Sequence, residues 1–157
     1  SITVNEYISY LNNSYLFFEL QKFDFSVKRQ LNSPKKIYLI DSVFNDLGLN
    51  FSMNKGKILE NIVFIELKRR DEEVYYYAAR NECDFLVKER TKIKEAIQVC
   101  YVLNKSNRTR EIDGLLESMG KFKAKNGLIL THDQEEEIKV KGKKIKVVPV
   151  LKCLIDF

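Results

Sequence analysis

Two stretches of strict alternation, set close together between residues 82 and 101, give the chain its most informative pattern. In ECDFLVK, Cys83, Phe85 and Val87 alternate with Glu82, Asp84 and Leu86. In EAIQVCYVL, Ala96, Gln98, Cys100 and Val102 alternate with Ile97, Val99 and Tyr101. A period of two predicts half-buried strands whose successive side chains point to opposite faces. Each stretch carries a polar group, Asp84 or Gln98, where an ordinary core strand would carry an apolar one. On neighbouring strands the two are suited to holding a divalent cation.

The rest of the chain supplies elements around that pair. Residues 3–16 read as a helix capped by Thr3, with Glu6 at the capping-box position and Tyr7, Ile8, Leu11 and Tyr15 at helical spacing. The aromatic run 15–21 predicts a strand, with 23–27 as its partner across a short turn, and KKIYLI after Pro34 predicts another. Asp41 or Ser42 caps a short helix ending near Gly48, and 50–55 reads as a loop or linker. Residues 56–70, GKILENIVFIELKRR, form the clearest helix, with basic residues in its last turn as the helix dipole prefers. Its apolar set wraps more than half the circumference and encloses Glu60, a carboxylate that is costly to surround in this way without a partner. Then come strand 73–79, a turn at Arg80 and Asn81, strand 82–88, a charged loop over 88–94 and strand 95–103. An amphipathic helix over 107–122 carries Ile112, Leu115, Leu116, Met119 and Phe122, and is followed by strand 127–131. Two strands turned at Gly142 and a short helical tail from Pro149 complete the order.

A strand, a helix and a strand in succession over 95–131 predict a crossover with its two strands parallel. The fold class expected is therefore α/β, a mixed sheet flanked by helices over 51–157. A small winged-helix-like α+β segment over 1–50 precedes it.

Composition narrows the class without naming a function. Hydrophobic residues at 45% and charged residues at 31% describe an ordinary globular chain, and 157 residues suffice for one real core. No apolar run approaches the ~20 residues of a membrane span, so a cytoplasmic protein is expected. Cys83, Cys100 and Cys153 lie apart in apolar strings and read as free thiols rather than zinc ligands or a disulfide framework. The net charge of +5 is uneven, because residues 101–157 hold 12 basic against 8 acidic groups. That bias permits a nucleic-acid partner; a solvated lysine surface accounts for it equally well.

Glu60 on a helix, Asp84 on a strand, and Gln98 and Cys100 one residue apart on the next strand form an ordered constellation. It resembles the PD-(D/E)-x-K nuclease superfamily, which includes restriction enzymes and Holliday-junction resolvases. The resemblance implies a restriction-endonuclease-like fold and Mg²⁺ or Mn²⁺ held by acids on adjoining elements beside a lysine. On that template Glu60 matches the helical acid, Asp84 the aspartate, Gln98 the second acid and Cys100 the lysine. Two of these depart from the pattern: Gln98 offers a carbonyl oxygen without charge, and Cys100 cannot replace an ammonium. Removing one stabilising donor from such chemistry costs about 3–4 kcal/mol, so the resemblance implies a catalytically degenerate site.

Over nearly the whole length, the strings SPKKIYLIDS, GKILENIVFIELKRR, VYYYAARNECDFLV, AIQVCY and TREIDGL, in this order, resemble the C-terminal uncharacterised domain of archaeal-type AAA ATPases of prokaryotes. In such proteins an ATPase module precedes a winged-helix-like segment and this nuclease-like domain. Asn54-Lys55-Gly56-Lys57 is not a phosphate-binding loop, so ATPase activity would belong to a domain outside this chain. The partners implied are DNA and the ATPase domain of the same protein, with no membrane. Three functions follow: nucleic-acid binding by a degenerate nuclease fold, active Mg²⁺-dependent endonuclease cleavage, or a protein-interaction module coupled to the ATPase part.

Other residues carry plainer readings beside these. Arg108 and Arg110 sit in a first helical turn, where the dipole disfavours cations, and with Lys105 they are candidates for nucleic-acid contact. Glu82 reads as an outer acid or a partner of a lysine. Tyr75, Tyr76 and Tyr77 read as sheet packing before base stacking, and the lysines of 139–146 as a solvated hairpin.

Overall fold

A computed structural model describes residues 16–40 and 54–155, together with the isolated helical positions Thr3, Glu6, Tyr7, Tyr10 and Asn13. The remainder of the helix expected over 3–16, and the short helix expected after Asp41, lie outside the described residues. The described elements are β1 (Phe17–Leu20), α1 (Val27–Asn32), β2 (Lys36–Leu39), α2 (Lys55–Arg69), β3 (Glu73–Ala78), β4 (Glu82–Glu89) and β5 (Lys92–Val99). They continue with α3 (Arg108–Phe122), β6 (Asn126–Thr131), β7 (Glu136–Val140), β8 (Lys143–Pro149) and α4 (Val150–Ile155).

The fold is α/β, with a mixed six-stranded sheet in the order β3-β4-β5-β6-β8-β7 and helices against its faces. β5 and β6 are parallel and joined through α3, as the crossover pattern requires. β6 and β8 are also parallel, whereas β3, β4 and β5 form an antiparallel meander.

Three sequence expectations are corrected. Residues 23–27 do not pair with β1: Asp24 accepts the Ser26 N–H and binds Arg29, a local turn that leads into α1, and β1 pairs instead with β2 in a separate two-stranded sheet. The charged stretch over 88–94 is no loop, since β4 and β5 run through it to a tight turn with Arg90 at φ 56°. The apolar stripe of α2 is narrower than its composition implied: Asn61, Val63, Phe64 and Leu67 are buried, and Ile62 is exposed.

Apolar side chains on the two sheet faces form separate cores. Against α2, α4 and the β1–β2 hairpin lie Leu20, Tyr38, Phe64, Phe85, Val87, Ile97, Val99 and Leu130. Against α3 lie Cys83, Leu86, Ala96, Leu115, Met119, Ile129 and Val147. Each fully buried Leu, Ile, Val, Phe or Met among them contributes about 1.5–3 kcal/mol relative to exposure, so both faces hold their helices firmly. The alternation of β4 is broken once. Tyr75 pairs with Leu86 and Tyr77 with Cys83, so Asp84 and Phe85 together oppose Tyr76 in a bulge. Cys83 therefore joins Leu86 on the α3 face instead of sharing a face with Phe85 and Val87, and the displaced residue is Asp84. In β5 the expected division holds, with Ala96 and Cys100 facing α3 and Ile97 and Val99 facing α2.

Candidate functional site

The bulge, the first half of α2 and Lys36 of β2 meet at one end of the sheet. Asp84 is 7% exposed and its polar atoms replace backbone pairing between β4 and β5. Its Oδ2 accepts the Val99 N–H at 3.0 Å, and its own N–H donates to Gln98 Oε1 at 3.2 Å. The strands are thus held together by side chains where the recorded register begins, at Phe85 opposite Ile97.

Glu60 reaches this end from the first half of α2, which opens with Asn54 accepting the Lys57 N–H as an N-cap. One turn on, Phe64 stacks on Tyr38 with ring centroids 4.2 Å apart, and the Tyr38 hydroxyl donates to Glu60 Oε1 at 2.6 Å. Asn61 receives the Leu39 N–H and donates to the Leu39 carbonyl, both at 2.8 Å, standing in for a strand neighbour of β2. These contacts fix β2 against α2, and two residues before Tyr38 on the same face they deliver Lys36.

The Lys36 ammonium lies 3.1 Å from Asp84 Oδ1, 3.2 Å from Glu60 Oε1 and 2.5 Å from Glu82 Oε1. Burial opposes its charge, yet Asp84, Glu60 and Glu82 together hold it above the ordinary lysine range. Burial and the Glu60 charge push the Asp84 carboxyl up to about 6, against the pull of Lys36 and the Val99 N–H. Burial, then Glu60, likewise raises the Tyr38 hydroxyl, which stays neutral and acts only as a donor.

Two adjoining clefts, of about 380 and 390 Å³, share Glu60, Glu82 and Asp84. One is lined by β2 with Lys36 and Lys57, the other by Arg80, Gln98, Arg110 and Glu111. On this second side Gln98 Nε2 donates to Glu111 Oε2 at 2.6 Å, and Arg110 covers the other carboxylate oxygen at 2.5 Å. Glu111 is only 2% exposed. Its helix lies close because residue 114 is glycine, where a Cβ would come within 2.1 Å of the Glu82 carbonyl oxygen.

The structure brings Glu60 and Asp84 together through a shared lysine. It places the Gln98 amide between the Asp84 backbone and Glu111, away from Lys36. Cys100 is buried, its thiol pushed up to about 12 by burial and by Glu111 and Asp84. Its backbone N–H belongs to the pairing with Leu130. Arg108 is paired with Glu136 at 2.6 and 2.8 Å, Arg110 with Glu111, and Lys105 is exposed. Sequence reasoning missed Lys36, Tyr38 and Glu111. Lys36 and Tyr38 share a face at strand spacing in KKIYLI, and Glu111 stands four residues before Leu115 on the buried stripe of α3, but neither spacing by itself points to a site.

Among the described residues, no group of three or more His, Cys, Asp and Glu side chains is arranged to hold a metal ion. The cation among the acids is the lysine ammonium. Glu60, Glu82 and Asp84 offer the hard oxygen donors that Mg²⁺ prefers, but Gln98 does not join them as the side chains stand. The chemistry this chain's own groups provide is a positive charge and a neutral hydroxyl donor poised over carboxylates at an open cleft.

Fold and site together define an α/β domain with a polar cluster at one end of a mixed sheet. Its relatives include an uncharacterised protein of Methanocaldococcus jannaschii, 40% identical over 165 residues and 98% of this chain, and an uncharacterised protein of Haemophilus influenzae, 28% identical over 156 residues. The chain spans 36% and 37% of the lengths of these two proteins, little more than a third. No family model matches the chain, and no solved structure matches it. Among the described residues no helix is long and apolar enough to cross a membrane.

Proposed function

We propose that this chain is a nucleic-acid-binding domain with a restriction-endonuclease-like fold, part of a longer cytoplasmic ATPase-family protein, in which the cleavage chemistry is weakened. The observation that carries the reading is the engagement of Gln98. Its amide is held by the Asp84 N–H and Glu111, so the position matching the second acid brings neither charge nor a free oxygen to the cleft. Anisotropy of a labelled 20-base-pair duplex, measured from 50 to 200 mM salt, tests it. Affinity that falls steeply with salt is expected. No affinity at 50 mM for the duplex or for either of its separated strands, or affinity indifferent to salt, rejects the proposal.

A second reading, retained Mg²⁺- or Mn²⁺-dependent cleavage, is favoured by Lys36. The ammonium that Cys100 cannot supply comes from β2 and touches both Glu60 and Asp84. A plasmid-nicking assay with Mn²⁺ decides this reading. Nicking that disappears in both Asp84→Ala and Lys36→Met supports it. Nicking that survives intact in Asp84→Ala excludes it.

A further inference from the structure

A second feature stands apart from the carboxylate cluster, on the side of the sheet covered by α3. Phe23, Phe25, Tyr75, Tyr77 and Phe122 form a chain of rings with centroids 5.0–5.8 Å apart. Most of that chain is packed, but Phe25 at its outer end is 74% exposed. The neighbouring helix α1 buries none of its residues, and Val27 and Leu31 are also exposed. Phe25 keeps an edge contact with Phe23 and a tilted one with Phe122 while most of its surface is open to solvent.

Basic and acidic groups both lie near this ring, and Asp24 beside it is paired with Arg29 and drawn also by Lys121. The segment Lys121-Phe122-Lys123-Ala124-Lys125, which sets Phe122 against Phe25, holds three exposed lysines and no acid. Lys121 Nζ lies 4.7 Å from the Tyr77 ring centroid and 5.6 Å from that of Phe122. The nearby acids already have partners. Asp24 binds Arg29, and Glu117 accepts from Tyr77 and Asn81. A protein partner's interface core is depleted in lysine, so an apolar contact close to exposed lysines fits a polyanion with flat apolar faces.

We infer that this surface binds single-stranded nucleic acid, one base stacking on Phe25 while Lys121, Lys123 and Lys125 neutralise the adjoining phosphates. The inference rests on the nucleic-acid reading above and deepens it, because it names the strand state that the domain selects. It also separates recognition from the carboxylate cleft, so substitutions in one leave the other intact.

The experiment is anisotropy of a labelled 12-nucleotide poly-dT and of a 12-base-pair duplex at 50 mM salt, with the 157-residue chain, Phe25→Ala and Lys125→Glu. Phe25 and Lys125 are exposed, so both variants keep the fold, and thermal melting verifies it. Phe25→Ala is expected to weaken poly-dT binding about tenfold, within the range of one lost base stack, and to leave duplex affinity unchanged. Lys125→Glu weakens both ligands and lowers their salt dependence. Poly-dT affinity unchanged in Phe25→Ala overturns the inference while the nucleic-acid reading stands on the duplex. Absence of binding to both ligands by the unaltered chain overturns both. Sedimentation in which Phe25→Ala dissolves a dimer without touching poly-dT affinity assigns the surface to a protein contact and overturns the inference as well.

Discussion

β4 and β5 run side by side, yet two neighbouring parts of the pair are held by different physics. Over Phe85, Val87 and Ile97 the pair is apolar, 0–3% exposed, and joined by backbone pairing from Phe85 opposite Ile97 to Val87 opposite Glu95. One residue further, Asp84 and Gln98 are equally buried at 7% and 6%, but they are polar and their side chains take over the backbone hydrogen bonds. Burial alone therefore does not separate core from site here. What separates them is whether buried atoms need a partner: the apolar end is satisfied by contact with any well-shaped neighbour, while the polar end requires Lys36, Val99 and Glu111 in particular positions.

That contrast is broken most strongly from the apolar end. Phe85→Ala removes a ring that is 0% exposed and packs near Tyr38 and Phe64. It is expected to lower stability by about 3–5 kcal/mol. Urea denaturation at pH 5 and pH 7 should give nearly the same loss, because no titrating group is removed. A loss under 1 kcal/mol would mean that the apolar end is not the main fastening of the strand pair.

At the polar end the expected effect is smaller and depends on pH. The Asp84 carboxyl titrates in the fold at about 6, against an ordinary value of 3.8. Between those values the folded state binds more protons than the unfolded chain, so this group's contribution to stability falls as pH rises from about 4 to 6. At about 1.4 kcal/mol per unit the fall is at most ~3 kcal/mol. Carboxylates held below their ordinary range, such as Glu66 at about 2 through Arg69 and Arg70, act with the opposite sign and lose stability as pH falls. In Asp84→Asn the decline from 4 to 6 should flatten, and a decline of unchanged slope in a urea series would show that another group carries it.

The smallest effect lies outside the comparison and calibrates it. Arg108 forms a bidentate pair with Glu136 on the surface, where both side chains are more than a third exposed. Arg108→Ala should change stability by less than about 0.5 kcal/mol. A larger change in thermal melting would place Arg108 in the fold's framework instead of on its surface.

Much of the framework was legible from periodicity. The helices over 56–70 and 107–122, the parallel relation of β5 and β6, and the hairpin turned at Gly142 follow from spacing that has one structural solution. The partner of β1 was misassigned because aromatic content at 23–27 resembled a strand, while the short-range bonds of Asp24 favoured a turn. In the candidate site, Glu60 and Asp84 stood out because each is an acid in an apolar pattern. Lys36 did not, because a lysine at the start of a strand is ordinary until something brings it to an acid.

What the sequence determined by itself was most of the elements and the two acids set in apolar patterns, Glu60 and Asp84, since both are written in local hydrophobic rhythm. What only the tertiary structure decided was the company those acids keep. The bulge at Asp84, the docking of β2 on α2 through Tyr38 and Asn61, and the close approach of α3 at Gly114 bring Lys36 and Glu111 to the same end of the sheet from positions 24 residues before Glu60 and 27 residues after Asp84. Such meetings depend on packing between elements distant in sequence, which no local pattern encodes, and they make Glu82–Val99 a charged site and not merely a pair of strands.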